Sequence, residues 1–176
     1  GLPLAYEMMP GNTTDKTKVQ GFELYYRQSL TFLPQWARGF QAFVQFTKLD
    51  VDGNNAADFT GFNPESFSGG INFVRSRLSI KGTVSYLADT RRGLVAVNAA
   101  NGIPADTYNY QGKRTRYGLT VNYALSKRYS IYASATDIGG FVQDLQRYAP
   151  STPDYAKGQR WQELGFYTNI GVRATF

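Results

Sequence analysis

Tyr117-Gly118-Leu119-Thr120-Val121-Asn122-Tyr123-Ala124-Leu125, followed by Ser126-Lys127-Arg128 and then by Tyr129-Ser130-Ile131-Tyr132-Ala133-Ser134-Ala135-Thr136, reads as two strands joined by a short turn. Side chains alternate between faces along a strand, so Tyr117, Leu119, Val121, Tyr123 and Leu125 share a side, as do Ile131, Ala133 and Ala135. The other side carries Thr120, Asn122, Ser130, Tyr132, Ser134 and Thr136, polar and almost uncharged. A helix would need a period near 3.6, which this stretch lacks.

The same alternation recurs along the chain, predicting seven strands at 19–30, 39–50, 67–74, 78–87, 114–125, 129–137 and 161–176. One parity holds Phe22, Leu24, Tyr26, Phe40, Ala42, Val44, Phe46, Ile71, Phe73, Leu78, Ile80, Val84, Tyr86, Leu164, Phe166, Ile170, Val172, Ala174 and Phe176, with no charge among them. The opposite parity holds charges at Glu23, Arg27, Lys81, Arg116, Glu163 and Arg173 among Ser, Thr, Asn and Gln. The fold class read from this pattern is all-β and antiparallel.

Composition narrows the function classes. In 176 residues there are 13 Tyr, 12 Phe and 2 Trp, but no His and no Cys. Imidazole bases, His-based triads, thiolate sites and disulfides are therefore excluded, and the chain is read as not an enzyme, with no cofactor and no resident metal. The net charge of +6 is dispersed in singles and pairs such as Arg91-Arg92 and Lys127-Arg128, so no nucleic-acid partner is expected. No apolar run approaches the ~18 residues of a spanning helix. The first residues, Gly1-Leu2-Pro3-Leu4, lack a basic and then apolar leader, which reads as a mature or cut segment.

A soluble sandwich, a lipocalin-like barrel and a membrane barrel all alternate in this way. Three features favour the membrane barrel. Phe40 and Phe46, Tyr117 and Tyr123, and Phe166 and Phe176 sit toward opposite strand ends with smaller aliphatics between, as two lipid interfaces require. The intervening segments 31–38, 51–66, 75–77, 88–113, 126–128 and 138–160 alternate short and long, matching short periplasmic turns and long extracellular loops. Finally, the terminal strand carries Ile170, Val172, Ala174 and Phe176 at two-residue steps, the pattern of an outer-membrane assembly signal.

Particular runs resemble the closing strands of TonB-dependent outer-membrane receptors. They are Gly21-Phe22-Glu23-Leu24, Gly61-Phe62-Asn63-Pro64-Glu65, Gly70-Ile71-Asn72-Phe73-Val74-Arg75 with Leu78-Ser79-Ile80-Lys81, and the run from Tyr123 to Ala133. The tail adds Arg147-Tyr148-Ala149-Pro150, Pro153-Asp154-Tyr155-Ala156-Lys157-Gly158 and Gln162-Glu163-Leu164-Gly165-Phe166, ending in Gly171-Val172-Arg173-Ala174-Thr175-Phe176. The resemblance spans residues 19–176 and implies a transmembrane β-barrel of which about seven strands are present, part of a larger 22-stranded barrel. It implies a bacterial outer-membrane location and ligand uptake, the ligand being of the siderophore, cobalamin or carbohydrate class. Implied partners are outer-membrane lipid, the missing strands and plug domain of the parent receptor, TonB through the parent's N-terminus, and the outer-membrane assembly machinery. Residues 1–18 read as an extracellular loop segment. Seven strands put the two chain ends on opposite sides of the membrane, whereas single-chain bacterial barrels have an even count, so at least one strand is expected to be missing.

The best candidate for ligand contact is the aromatic-rich stretch 104–117, read as a loop, with Tyr108 and Tyr110 beside Arg114 and Arg116. Rigid rings and planar guanidinium groups lose little freedom on binding. Asp50-Val51-Asp52-Gly53-Asn54-Asn55 places its glycine too early for a calcium loop. Two other classes stay open: a small self-contained outer-membrane barrel of structural or adhesive role, and a soluble β-barrel binding a small apolar ligand.

Overall fold

The computed structural model describes residues 16–53 and 61–175. Strand makes up 66% and helix 4%, so the all-β expectation is met. The strands are β1 (Thr17–Ser29), β2 (Phe40–Gly53), β3 (Glu65–Arg75), β4 (Leu78–Leu87), β5 (Thr90–Leu94), β6 (Tyr108–Gln111), β7 (Arg114–Ala124), β8 (Tyr129–Thr136), β9 (Phe141–Tyr148), β10 (Gly158–Leu164) and β11 (Tyr167–Ala174). They form a seven-stranded sheet in the order β1-β2-β3-β4-β7-β8-β11 and a four-stranded sheet in the order β10-β9-β6-β5, every pairing antiparallel.

The seven-stranded sheet contains the seven expected strands, but three expectations are corrected. The segments 88–113 and 138–160 are not loops throughout: they hold β5, β6, β9 and part of β10. A long excursion must satisfy its backbone N–H and C=O groups, and here it does so by pairing. The hairpin β4–β7 simply carries on into β5–β6, since Leu87 faces Arg114 and Thr90 faces Gln111, with two residues between on each side. The terminal strand 161–176 is divided at 165–166, because β10 pairs with β9 and β11 with β8. The alternation of connection lengths is also softened, as β2 runs on to Gly53 and β3 starts at Glu65.

Where β8 passes into β9 the strands are out of step. Thr136 faces Tyr167 and Phe141 faces Leu164, so residues 137–140 on one strand oppose only 165–166 on the other. This bulge takes up its surplus through left-handed backbone at Asp137 (φ 59°), Gly139 (φ 91°) and Gly140 (φ 85°).

Register places the expected apolar parity on one face. Phe46 lies between Leu24 and Phe67, Phe67 faces Tyr86, and Phe40 faces Phe73, which faces Ile80. Ile80 faces Val121, Val121 faces Ala133, and Ala133 faces Ile170. The Phe40–Phe73 ring pair, with centres 4.5 Å apart, lies at the start of β2, and the Phe22–Phe46 pair, 5.7 Å apart, lies near its middle. Of the terminal set, Ile170, Val172 and Ala174 lie in β11 on this face, while Phe176 is outside the described residues. So are residues 1–15, most of the expected 1–18 segment.

Among the described residues nothing covers this apolar face. Leu119, Ile131, Ile170 and Val172 are all exposed, and the only buried apolar residues among those described are Ala37, Tyr108 and Ala149, none on the seven-stranded sheet. An apolar sheet face ordinarily packs on a second layer. Among the described residues β1 and β11 each have one side without a neighbouring strand, and the sheet does not close.

Candidate functional site

The polar face of the seven-stranded sheet is built by the opposite parity. Ser29, Gln41, Asn72 and Lys81 form one cross-strand row, continued by Thr120, Ser134 and Asn169. The next row runs Arg27, Phe43, Gly70, Thr83, Gly118, Thr136 and Tyr167. Short polar side chains on β3, β4 and β8 leave room, and a cavity of about 330 Å³ opens over β1–β4, lined by Tyr25, Arg27, Gln41, Phe43, Asn72 and Lys81 among others. The strand charges do not pair laterally with one another: Arg27 Nη2 donates to Gln41 Oε1 at 3.0 Å, and Gln45 Nε2 donates to Glu23 Oε1 at 2.7 Å. Lys81 Nζ stands 5.5 Å from the centre of the Phe43 ring, and the Arg173 guanidinium 5.7 Å from that of Tyr132.

The expected ligand-contact residues fall into two groups. Tyr108 and Tyr110 belong to β6, not to a loop, and Tyr108 is buried. Tyr108 faces Tyr148 of β9, and the Tyr110 and Tyr148 rings stack in parallel with centres 3.9 Å apart. The Arg91 guanidinium lies 4.8 Å from the Tyr108 ring and Lys157 Nζ 4.9 Å from that of Tyr148. Burial, then the neighbouring Tyr110 and Asp89, push the Tyr148 phenol up to about 12. This cluster knits β5, β6 and β9 together.

Arg114 and Arg116 stand in β7. Arg116 is committed to Asp137 by two hydrogen bonds, Nε to Oδ1 at 2.5 Å and Nη2 to Oδ2 at 2.9 Å. Its guanidinium also lies 5.5 Å from the Phe141 ring. Asp137 is 3% exposed and sits in the bulge, its carboxyl held below the usual carboxylate range by the Arg116 hydrogen bond. The structure thus brings Tyr108 and Tyr110 together and ties Arg116 down.

The sequence places Gln41 on the polar parity and Tyr148 in the second long segment, but assigns no site role to Asp137 or Phe43. Only Asp137-Ile138-Gly139-Gly140 carries a local signal, an acidic residue ahead of two glycines where a strand must bend. The others acquire their roles from register. Among the described residues no group of three His, Cys, Asp or Glu side chains is placed to hold a metal. Comparison with protein-family models, curated proteins and solved structures found no match to this chain.

Proposed function

We propose that this chain is the closing, C-terminal part of a TonB-dependent outer-membrane receptor barrel, serving ligand uptake. The observation that carries the reading is the in-register apolar face, over which no layer lies among the described residues. In water its exposed rings and aliphatics would be an aggregation liability, whereas in a bilayer they are what lipid requires. The tight connections at 76–77 and 125–128 fit the periplasmic end, and the Phe40–Phe73 pair near the first of them fits the interface on that side. Missing strands and a plug, supplied by the rest of a receptor, would complete the unpaired sides of β1 and β11.

The test is depth-resolved quenching of single tryptophans by brominated lipid, after refolding into vesicles in variants with Trp36 and Trp161 replaced by Phe. Val121→Trp on the apolar face is expected to quench strongly and Asn122→Trp weakly. Equal quenching, or a chain that stays soluble and monomeric without detergent, would overturn the membrane reading. Loss of energy-dependent ligand uptake on removal of the parent receptor tests the transport role.

A further inference from the structure

We infer that the cavity on the polar face over β1–β4 is a carboxylate-binding site whose charge comes from Arg27 and Lys81. The two residues start from strands on opposite sides of β2 and β3, yet both reach toward β2. Arg27 on β1 donates to Gln41 of β2 at 3.0 Å, while Lys81 on β4 leans back across β3 until its ammonium stands 5.5 Å from the centre of the Phe43 ring, also of β2. Gln41 and Phe43 are two residues apart on one face of β2, so the two cationic heads converge from either side on a stretch about 7 Å long.

The convergence is enforced by packing. A Cβ at Gly70, the Phe43 partner on β3, would come 2.8 Å from the Phe43 ring, so the ring lies over the glycine. Among the described residues no carboxylate comes within ion-pair distance of either cation; the ion pairs present there are Arg116–Asp137 and Lys157–Asp154. Glu23, on the same face of β1, is held by Gln45.

Two like charges brought to one short stretch of β2, Arg27 at Gln41 and Lys81 at the Phe43 ring, call for an anion. The Asn72 amide, between Gln41 and Lys81 in the same row, adds donors, and a planar carboxylate matches the guanidinium fork. The volume of about 330 Å³ admits a small polycarboxylate or one acidic side chain of a segment lying along the face. This inference rests on the placement of strands β1–β4 and not on the barrel reading.

The experiment uses the 176-residue chain in detergent, titrated with citrate and separately with a short tetraglutamate peptide, with inorganic phosphate as a competitor. Arg27→Gln and Lys81→Gln are each expected to weaken citrate binding about tenfold and the double variant about a hundredfold, in line with charged hydrogen bonds. Arg173→Gln, a polar-face cation outside the cavity, is expected to leave binding unchanged. Folding of each variant is checked by the amide circular dichroism of the sheet. Citrate binding assigns the site to free carboxylates; binding of the peptide alone assigns it to acidic side chains of a covering segment. Absence of both, persistence in a folded double variant, or phosphate competing as well as citrate would overturn the proposal. Normal lipid quenching at Val121→Trp alongside absent citrate binding would sink this inference alone.

Discussion

Asp137 is almost fully enclosed at 3% exposure while its partner Arg116, which grips both carboxylate oxygens, is 48% exposed. The pair is therefore asymmetric in what each partner leaves behind. Arg116→Met strands a buried carboxylate and is expected to cost about 3 kcal/mol, within the range for breaking a buried pair and limited by the water around Arg116. Asp137→Asn leaves an arginine that solvent can reach, and is expected to cost about 1–2 kcal/mol. Denaturant unfolding of both variants checks the order, and a larger loss in Asp137→Asn contradicts it.

The same pair sets an acid limit. The Asp137 carboxyl titrates below its unfolded value near 3.9, so its contribution is fully present above that pH and is lost as pH falls through the lower, folded value. Stability of the parent is expected to drop below about pH 4 more steeply than that of Asp137→Asn. Parallel pH profiles would show that the carboxylate contributes nothing.

At the alkaline end the Tyr148 phenol is raised to about 12, first by burial and then by Tyr110 and Asp89. A raised value favours the neutral form, so this contribution is intact below pH ~10 and fades as pH rises toward 12. Ultraviolet titration is expected to show one late tyrosine that disappears in Tyr148→Phe. In Tyr110→Phe it should ionise earlier yet remain above 10, because burial is the larger cause.

On the seven-stranded sheet, Val121 shares the apolar face with Ile80 and Ala133, while Asn122 shares the polar face with Ser79 and Tyr132. In lipid, Val121→Arg is expected to cost about 2–4 kcal/mol and Asn122→Arg under about 1 kcal/mol. Folding equilibria in vesicles measure both, and equal costs would reverse the face assignment.

Gly171 lies under Tyr132, where an added Cβ would come 2.6 Å from the phenol oxygen and 2.7–2.8 Å from the ring. Gly171→Ala is expected to cost about 1–3 kcal/mol by overpacking. In Tyr132→Ala the same change should cost far less, and a double-mutant cycle reads the coupling directly. Additive losses would mean that the ring does not cover the glycine.

Sequence alone determined what depends on neighbours two residues apart. The alternation through Tyr117–Thr136 and its five counterparts specified all-β structure, the strands of the seven-stranded sheet and the parity that becomes the apolar face, because side chains in any strand point to opposite sides whatever the strand pairs with. Tyr108 and Tyr110 drew notice as an aromatic pair, but their partner Tyr148 comes from a distant hairpin, so stretches that looked like loops turned out to hold a second sheet. The tertiary structure decided pairing and register. Only register could set Asp137 in a bulge within reach of Arg116, or bring Arg27 and Lys81 over β2 from opposite flanks. Such meetings hinge on which distant residues face each other across strands, a matter on which the local period of two is silent.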